Sequence, residues 1–395
     1  MVERNAIVVG AGIGGLAAAR ALSRVGWSVR LFDQAAAFRE VGAGLSMAPN
    51  AVRAMEWLGL GTELRAKAQG QGIGVQRARG GWLVQLREAD LIERYGNPMF
   101  AMHRADLHRI LFDAADAVDI RAGHRATALD TDSDGARVTF ETSEGAVSLE
   151  ADLVVAADGV HSMLRSMLFP GHPGATYADY VCWRGVAPPG AGSGLADPPV
   201  WTDSWGRGVR FGTAPLVDGR VFWYGSAAGP EGAFANDTLD DVATRFRGWH
   251  DPIPEVIAAT DPKALLRNDI YYVADPLPSF VSGRVVLLGD AAHAVTPDIG
   301  QGACLAIEDA VVLGIALAGA EEPDSALRAY DAARRPRTQK LAQISGRSAR
   351  VQQTRNPVGA GLRDLLIRLM PARAYLNAGA ETLAWSPPDG AIAAS

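Results

Sequence analysis

Cysteine is nearly absent from this chain: two in 395 residues, Cys182 and Cys304, far apart and in no metal-ligand spacing. That scarcity excludes a disulfide framework and suits a reducing compartment. Long apolar runs are missing too. The longest, around residues 310–320, falls well short of the roughly 20 residues that cross a bilayer, so no integral membrane segment is expected. No long basic run occurs and the formal net charge is -6, which argues against nucleic acid as a partner. Neither a Ser-His-Asp set nor paired carboxylates suited to hydrolysis can be read. "MVERNAIVVG" enters a strand pattern directly, without a signal peptide. The balance of 48% hydrophobic and 21% charged residues is that of a globular protein, and the length suffices for two domains. These features predict a soluble, cytoplasmic, two-domain protein, monomer or homodimer.

What is present begins with glycine. "AIVVGAGIGGLAAARALSRVGWSVRLFDQ" reads strand, turn, helix, strand. Residues 6–9 form a continuous apolar run, as in a strand buried on both faces, and Leu16, Ala19, Leu22 and Val25 recur at helical spacing. The G-x-G-x-x-G pattern at Gly10, Gly12 and Gly15 has a mechanical meaning in that setting. Gly10 permits the tight turn, Gly12 lets a pyrophosphate approach the backbone, and Gly15 lets helix and strand pack closely. The helix N-terminus then offers free N–H groups to the phosphates. Asp33, at the end of the second strand, is placed to accept from a ribose hydroxyl; Gly14 and Gln34 complete this candidate set. "GQGIG" at residues 70–74 lacks a preceding buried strand and is not expected to act in the same way.

Further along, "HRADLHRILFDAA" reads as an amphipathic helix and "ADLVVAADGVHSMLR" as a buried strand ending in Asp158-Gly159. Short alternating runs between about residues 176 and 280, such as "VCWRGV", "GVRFGT" and "RVFWYGS", read as antiparallel strands. The α/β pattern resumes in "VVLLGDAAHAVTPDIGQGACLAIEDAVVL", where a strand stops at Gly289-Asp290 and a helix begins after Gly300-Gln301-Gly302. A carboxylate at one tip suits ligand hydroxyls, and a helix mouth beside it suits developing negative charge. The expected fold class is α/β: a Rossmann-type dinucleotide-binding domain built from residues 1–71, 100–175 and 281–376, with C-terminal helices. Residues 72–99 and 176–280 would form an inserted antiparallel sheet domain for substrate. Residues 377–395 would be a tail, with "SPPDGAIAAS" disordered.

Gly10-x-Gly12-x-x-Gly15, Asp158-Gly159 and Gly289-Asp290, in this order, resemble the single-component FAD-dependent monooxygenases of the aromatic hydroxylase type, the para-hydroxybenzoate hydroxylase-like family. The likeness spans about residues 6–371, and "VVAADGVHSMLR" and "GDAAHAVTPDIGQGACLAIEDA" are its most specific pieces. It implies the GR2-like flavoprotein fold with FAD as cofactor. By that resemblance Asp33 binds the adenosine ribose, Arg104 reaches the ribityl–pyrophosphate region, and Asp158 lies near the pyrophosphate. Asp290 accepts from a ribityl hydroxyl, while Pro297 and Gly300, Gln301 and Gly302 lie beside the isoalloxazine ring. Residues 41–51 cover another edge, with Gly42 and Gly44 allowing close approach. The family's chemistry is reduction of the flavin by NADH or NADPH, addition of O2 at C4a, and transfer of one oxygen atom from the hydroperoxide in a hydroxylation or epoxidation. No second nucleotide fingerprint occurs, so the donor would visit without a domain of its own.

Strand alternation puts Cys182 and Arg184 on one face with Trp183 opposite, and Phe222 and Tyr224 on one face with Trp223 opposite. An aromatic-lined pocket with a few polar anchors suits a planar aromatic or heteroaromatic substrate. The flavin does the chemistry, so Arg210 and Asp298 are the candidates for direct help, Arg210 as a substrate anchor. "TPDIGQG" resembles the form in urate-hydroxylating and some epoxidase-like members, but Cys182 and Phe222 stand where the urate enzymes carry asparagine and tyrosine. Arg184 reads as an anchor or an interface ion pair, and His293 as a substrate contact or a packed residue. The rival readings are an FAD-dependent dehydrogenase or oxidase, and a non-catalytic flavoprotein. The Trp-x-Trp-x-Ile-Pro stretch of halogenases is absent.

Overall fold

The computed structural model describes residues 4–37, 42–192 and 194–388. A six-stranded sheet runs in the order Val281–Ser282, Val285–Leu287, Leu153–Ala156, Asn5–Val9, Ser28–Phe32 and Asp119–Arg121. Every pairing in it is parallel except that of the first two strands. Residues 6–9 and Leu153–Ala156 are wholly buried, as strands covered on both faces must be. One cover is the helix Ile13–Arg24, which packs on the helix Gly302–Leu317 so closely that a Cβ on Gly314 would lie 3.1 Å from Ala21 Cβ. The second helix is apolar almost all round, the composition of a helix sunk in a core, yet Glu308 and Asp309 lie within it fully buried.

A nine-stranded sheet runs Leu266–Tyr272, Thr176–Ala187, Val221–Ala228, Val209–Pro215, Val200–Trp205, Gln69–Arg77, Met99–His103 and Gly44–Met47, with Trp82–Leu86 paired beside Gln69–Arg77. Its register pairs Arg184 with Tyr224 and Gly185 with Trp223. Alternation therefore sends Trp183 and Trp223 to one face, where they join Phe211 and Phe246 in a separate core. Cys182, Arg184, Phe222 and Tyr224 face the other way, toward the first sheet.

Three expectations need correction. The boundaries at 71/72 and 99/100 fall inside hydrogen-bonded strands, and Gly44–Met47, assigned to the nucleotide side, ends the same sheet. Composition changes there, but backbone pairing runs straight across. A small antiparallel sheet, Arg125–Thr131, Ala136–Thr142 and Gly145–Ala151, was not expected; Phe140 anchors it by stacking on Phe32 at 4.6 Å. The tail begins later than residue 377. Helices Ala372–Ala378 and Ala380–Leu383 are ordered parts of the body, Leu383 is buried, and the Arg53 Nε donates to the Trp385 carbonyl at 2.8 Å. The last seven residues of the tail lie outside the described residues. Among the described residues no helix is long and apolar enough to cross a membrane.

Candidate functional site

A cleft of about 1110 Å³ separates the carboxyl ends of the parallel strands from the exposed face of the nine-stranded sheet. Its floor starts at the first turn. Gly10 has φ +107°, and a Cβ there would lie 2.3 Å from the Ala157 carbonyl oxygen; one on Gly15 would lie 1.8 Å from the Gly10 oxygen. Those two glycines let backbone meet backbone. Gly12 differs: nothing lies within 4 Å of its Cβ position, and with Gly14 it lines the cleft. The Asp33 carboxylate accepts from the N–H groups of Ala11 at 2.7 Å and Ala35 at 2.8 Å, holding the glycine turn from outside the cleft, with exposed Gln34 beside it. The "GQGIG" glycines sit within the strand Gln69–Arg77 and form no such turn.

Asp158 turns away from the cleft. It accepts from Ser162 Oγ at 2.5 Å and from the Leu164 N–H at 3.1 Å, fixing the start of the helix Met163–Leu168, while the flanking Ala157, Gly159, Val160 and His161 line the cleft. Asp290 does the opposite. Its surface is open to the cleft although protein surrounds it on all sides, and its carboxylate has no hydrogen-bond partner among the described residues. Burial pushes its pKa above the usual carboxylate range; His293 and Arg104 oppose that shift and Asp309 adds to it. Arg104, first residue of the helix Arg104–Asp113, lines the cleft near Arg184. Burial and the charge of Arg184 pull its pKa down, while Asp290 raises it. Arg184 has no ion pair or hydrogen bond from its side chain among the described residues.

The turn at Gly289-Asp290 is held from behind. Asp309 accepts from the Gly289 N–H at 2.9 Å, His293 Nε2 at 2.5 Å and Arg334 Nε at 2.6 Å. Burial alone would raise the Asp309 pKa, but His293 and Arg334 outweigh it and leave it lowered. Glu308 accepts from Asn50 at 2.7 Å and pairs with Arg334 and Arg337 at 2.7 and 2.8 Å. His293 is thus a packed residue, and it opens not on the cleft but on a second cavity, of about 1140 Å³, behind the loop. At the mouth of the helix Gly302–Leu317, Gln301 is buried; its Oε1 accepts from Asn50 at 2.9 Å, and its Nε2 has no partner. Pro297, Gly300 and Gly302 line the cleft beside it. Gly44 lines the cleft as well, and a Cβ there would lie 2.3 Å from the Phe222 ring, so the side chain it lacks leaves room for that ring.

On the opposite wall stand Cys182, Arg184, Trp201, Phe222 and Tyr224. Arg210 lies among them, but its donors are committed. Nε and Nη2 meet Asp203 at 3.1 and 2.9 Å, Nη1 meets Asp298 at 2.7 Å and also Gln352, and Nη2 donates to the Tyr224 hydroxyl at 3.1 Å. Four of its five N–H groups donate to protein acceptors, and the remaining Nη2 N–H sits beside the Asp203 carboxylate. Burial opposes the charge on Arg210, but Asp203, Tyr224 and Asp298 outweigh it and raise its pKa. Asp298 also accepts from the Tyr180 hydroxyl at 2.7 Å and is buried. Arg210 is therefore the hub of a network joining the sheet to the loop 296–301, and the free-anchor reading gives way. Burial keeps the Tyr224 hydroxyl protonated by raising its pKa.

Asp309, Glu308 and Arg334 escaped the sequence reading, although "CLAIEDAVVL" places two adjacent acids in an apolar helix, a pattern that calls for buried partners. Tyr180, Asp203 and Gln352 left no local signal, because only tertiary pairing brings them to Arg210.

An unpartnered carboxylate, an open cradle at Gly12 and an unpaired Gln301 amide at a helix mouth suit a ligand with phosphates, a polyol arm and a ring bearing carbonyls. FAD fits that donor set. Comparison with known proteins agrees. Residues 3–178 and 272–345 match the family described as FAD binding domain. Aurachin C monooxygenase/isomerase of Stigmatella aurantiaca is 35% identical over 366 residues, 92% of this chain and 94% of that protein. An FAD-dependent urate hydroxylase of Klebsiella pneumoniae subsp. pneumoniae is 38% identical over 341 residues, 85% of this chain and 87% of that one. The crystal structure of Klebsiella pneumoniae HpxO complexed with FAD and uric acid matches with a TM-score of 0.87 at 33% identity, covering 96% of each chain. The cleft and these likenesses together show that the chain belongs to the FAD-dependent monooxygenases that carry this FAD binding domain.

Proposed function

We propose that this chain inserts one oxygen atom from O2 into a planar aromatic or heteroaromatic compound, with NADH or NADPH as the electron donor. Bound FAD supplies the electron storage and oxygen activation that no side chain can provide. Each wall of the cleft has a separate part in this reading. Asp290 accepts from hydroxyls of the cofactor, and Arg104 supplies positive charge beside it. Gly12 leaves room for phosphate at the N-terminus of Ile13–Arg24. The free N–H groups at Gly302 and the Gln301 amide stabilise negative charge on a ring carbonyl.

The observation that carries the substrate reading is the wall of Trp201, Phe222 and Tyr224 beside Arg184, whose side chain has no partner among the described residues. Aromatic faces select a flat ring by stacking. Arg184 provides a charged donor for a carbonyl, phenolate or carboxylate. The Tyr224 hydroxyl accepts from Arg210, which leaves its own proton to donate to substrate. Arg210 acts as the positioning residue for Tyr224, and Asp298 as the link to the loop. The buried free thiols support a reducing, cytoplasmic setting, and the oligomeric state is monomer or homodimer.

Purified protein should show a flavin spectrum, and one or more of a panel of phenols, indoles, quinolones and purines, urate among them, should accelerate NADH or NADPH oxidation. Isotopically labelled O2 should leave one labelled atom in the product. Donor oxidation with no oxygen in any product would support a dehydrogenase or oxidase instead. Label from water alone would exclude the monooxygenase reading.

A further inference from the structure

The helix Pro357–Leu369 packs with its polarity reversed. The face turned inward carries Ala360, Arg363 and Ile367, set against Trp205 and its apolar neighbours Val75, Leu83 and Val84. Arg363 is 7% exposed, its guanidinium lies 5.1 Å over the Trp205 ring, and it donates to the carbonyls of Gln352 and Gly206, each at 3.2 Å. The face turned outward carries Val358, Leu362, Leu365, Leu366 and Leu369, exposed by 78, 55, 52, 58 and 69%. Spacings of three and four put these five on one stripe. A helix in an ordinary globular setting turns such a stripe inward; here an arginine occupies the inner side.

Charge around the stripe is equally one-sided. Residues 347–373 contain six arginines and one acidic residue, Asp364, so this segment carries +5 in a chain of net charge -6. Asp364 is paired with Arg363 at 2.8 Å. Arg347, Arg350, Arg355, Arg368 and Arg373 are exposed and make no ion pair among the described residues. Arg347, Arg350 and Arg355 line the second cavity, but Arg368 lies on the same helix as the stripe and Arg373 on the next one, and an apolar stripe with these cations beside it complements a surface that is apolar within and anionic at its rim. We propose that this face docks on an anionic lipid bilayer, with the leucines at the headgroup–acyl boundary and the arginines on lipid phosphates. A second copy of the chain fits poorly as the occupant, because a twofold contact on this helix would set Arg368 and Arg373 of each copy against the same cations of the other.

The test uses the FAD-loaded full chain, sedimented with vesicles of phosphatidylcholine alone or with about one third phosphatidylglycerol, alongside light scattering without vesicles. Wild type should bind only the phosphatidylglycerol vesicles and release as salt is added. Leu362→Gln with Leu366→Gln and Leu369→Gln should abolish binding, and Arg368→Gln with Arg373→Gln should weaken it roughly fivefold per arginine. Donor oxidation without substrate should be unchanged in both variants, which shows that they are folded. Three outcomes overturn the proposal: no binding by wild type, binding that survives the triple change, or a wild-type dimer that the triple change dissociates while vesicles remain unbound. None of them depends on the identity of the aromatic substrate.

Discussion

Asp290 lies in a cleft whose walls favour the neutral acid over the carboxylate, and its pKa is raised by burial. Its folded-state pKa lies above its unfolded one. The contribution to stability is therefore complete below the ordinary carboxylate range and is lost as pH rises through the folded value. Asp290→Asn removes that titration. Apoprotein of the variant should gain stability relative to wild type as pH rises above the ordinary carboxylate range, about pH 4, in urea unfolding, while its FAD content falls. Parallel profiles for the two proteins would show that Asp290 is not penalised in the fold. Gly12 separates cofactor binding from folding more simply. It has φ -73°, open to any residue, with nothing within 4 Å of its Cβ position. Gly12→Val should keep near wild-type stability and purify with little flavin. A variant that retains full FAD would remove Gly12 from the phosphate cradle.

The loop 296–301 is tied to the nine-stranded sheet through Asp298, held by Arg210 and Tyr180, and through the Gly300 carbonyl, which accepts from Ser46 Oγ at 3.0 Å. Arg210→Met leaves Asp203 and Asp298 buried without their cation, a loss of about 3–5 kcal/mol. Tyr180→Phe removes one charge-assisted hydrogen bond, about 1.5–3 kcal/mol. Hydrogen exchange across residues 294–301 should rise in both, and KM should rise more than FAD content falls. An anchor role confined to substrate would leave exchange and unfolding unchanged. This element also marks where sequence reading stopped. "GDAAHAVTPDIGQG" could be read because its strand end, its turn and its helix start are adjacent in the chain. The wall facing it could be read as far as strand parity allows: alternation alone placed Cys182, Arg184, Phe222 and Tyr224 on one face. That the Arg210 donors are committed depends on Asp203 across a hairpin, Tyr224 on the neighbouring strand, Asp298 in the loop and Gln352 on the long helix Pro323–Gln352, and no local pattern encodes those meetings.

Across the whole molecule, the parallel sheet was legible at its centre, because the apolar strands Asn5–Val9, Leu153–Ala156 and Val285–Leu287, each followed by a helix, have few other ways to be buried. The division into domains was less so, because strand pairing ignores changes of composition. Val200–Trp205 takes Gln69–Arg77 as its parallel neighbour, with Gly72 opposite Val200 and Arg77 opposite Trp205. Residues 176–280 expressed alone would expose that strand as an open edge. They should aggregate or lack a cooperative unfolding transition, whereas a monomeric, cooperatively folding fragment would show that the inserted residues form a unit. The contact between Gly44 and Phe222 carries the same continuity into the site, since a strand on the flavin side gives up its side chain to seat a ring of the substrate wall. Grafting the specificity of one relative onto another is then not a matter of exchanging one insert. A chimera joined at residues 176 and 280 would inherit a bulky ring from one parent and the strand meant to receive it from the other. Exchanges that carry residues 44–47, 69–77 and 99–103 along with the insert would keep those partners together.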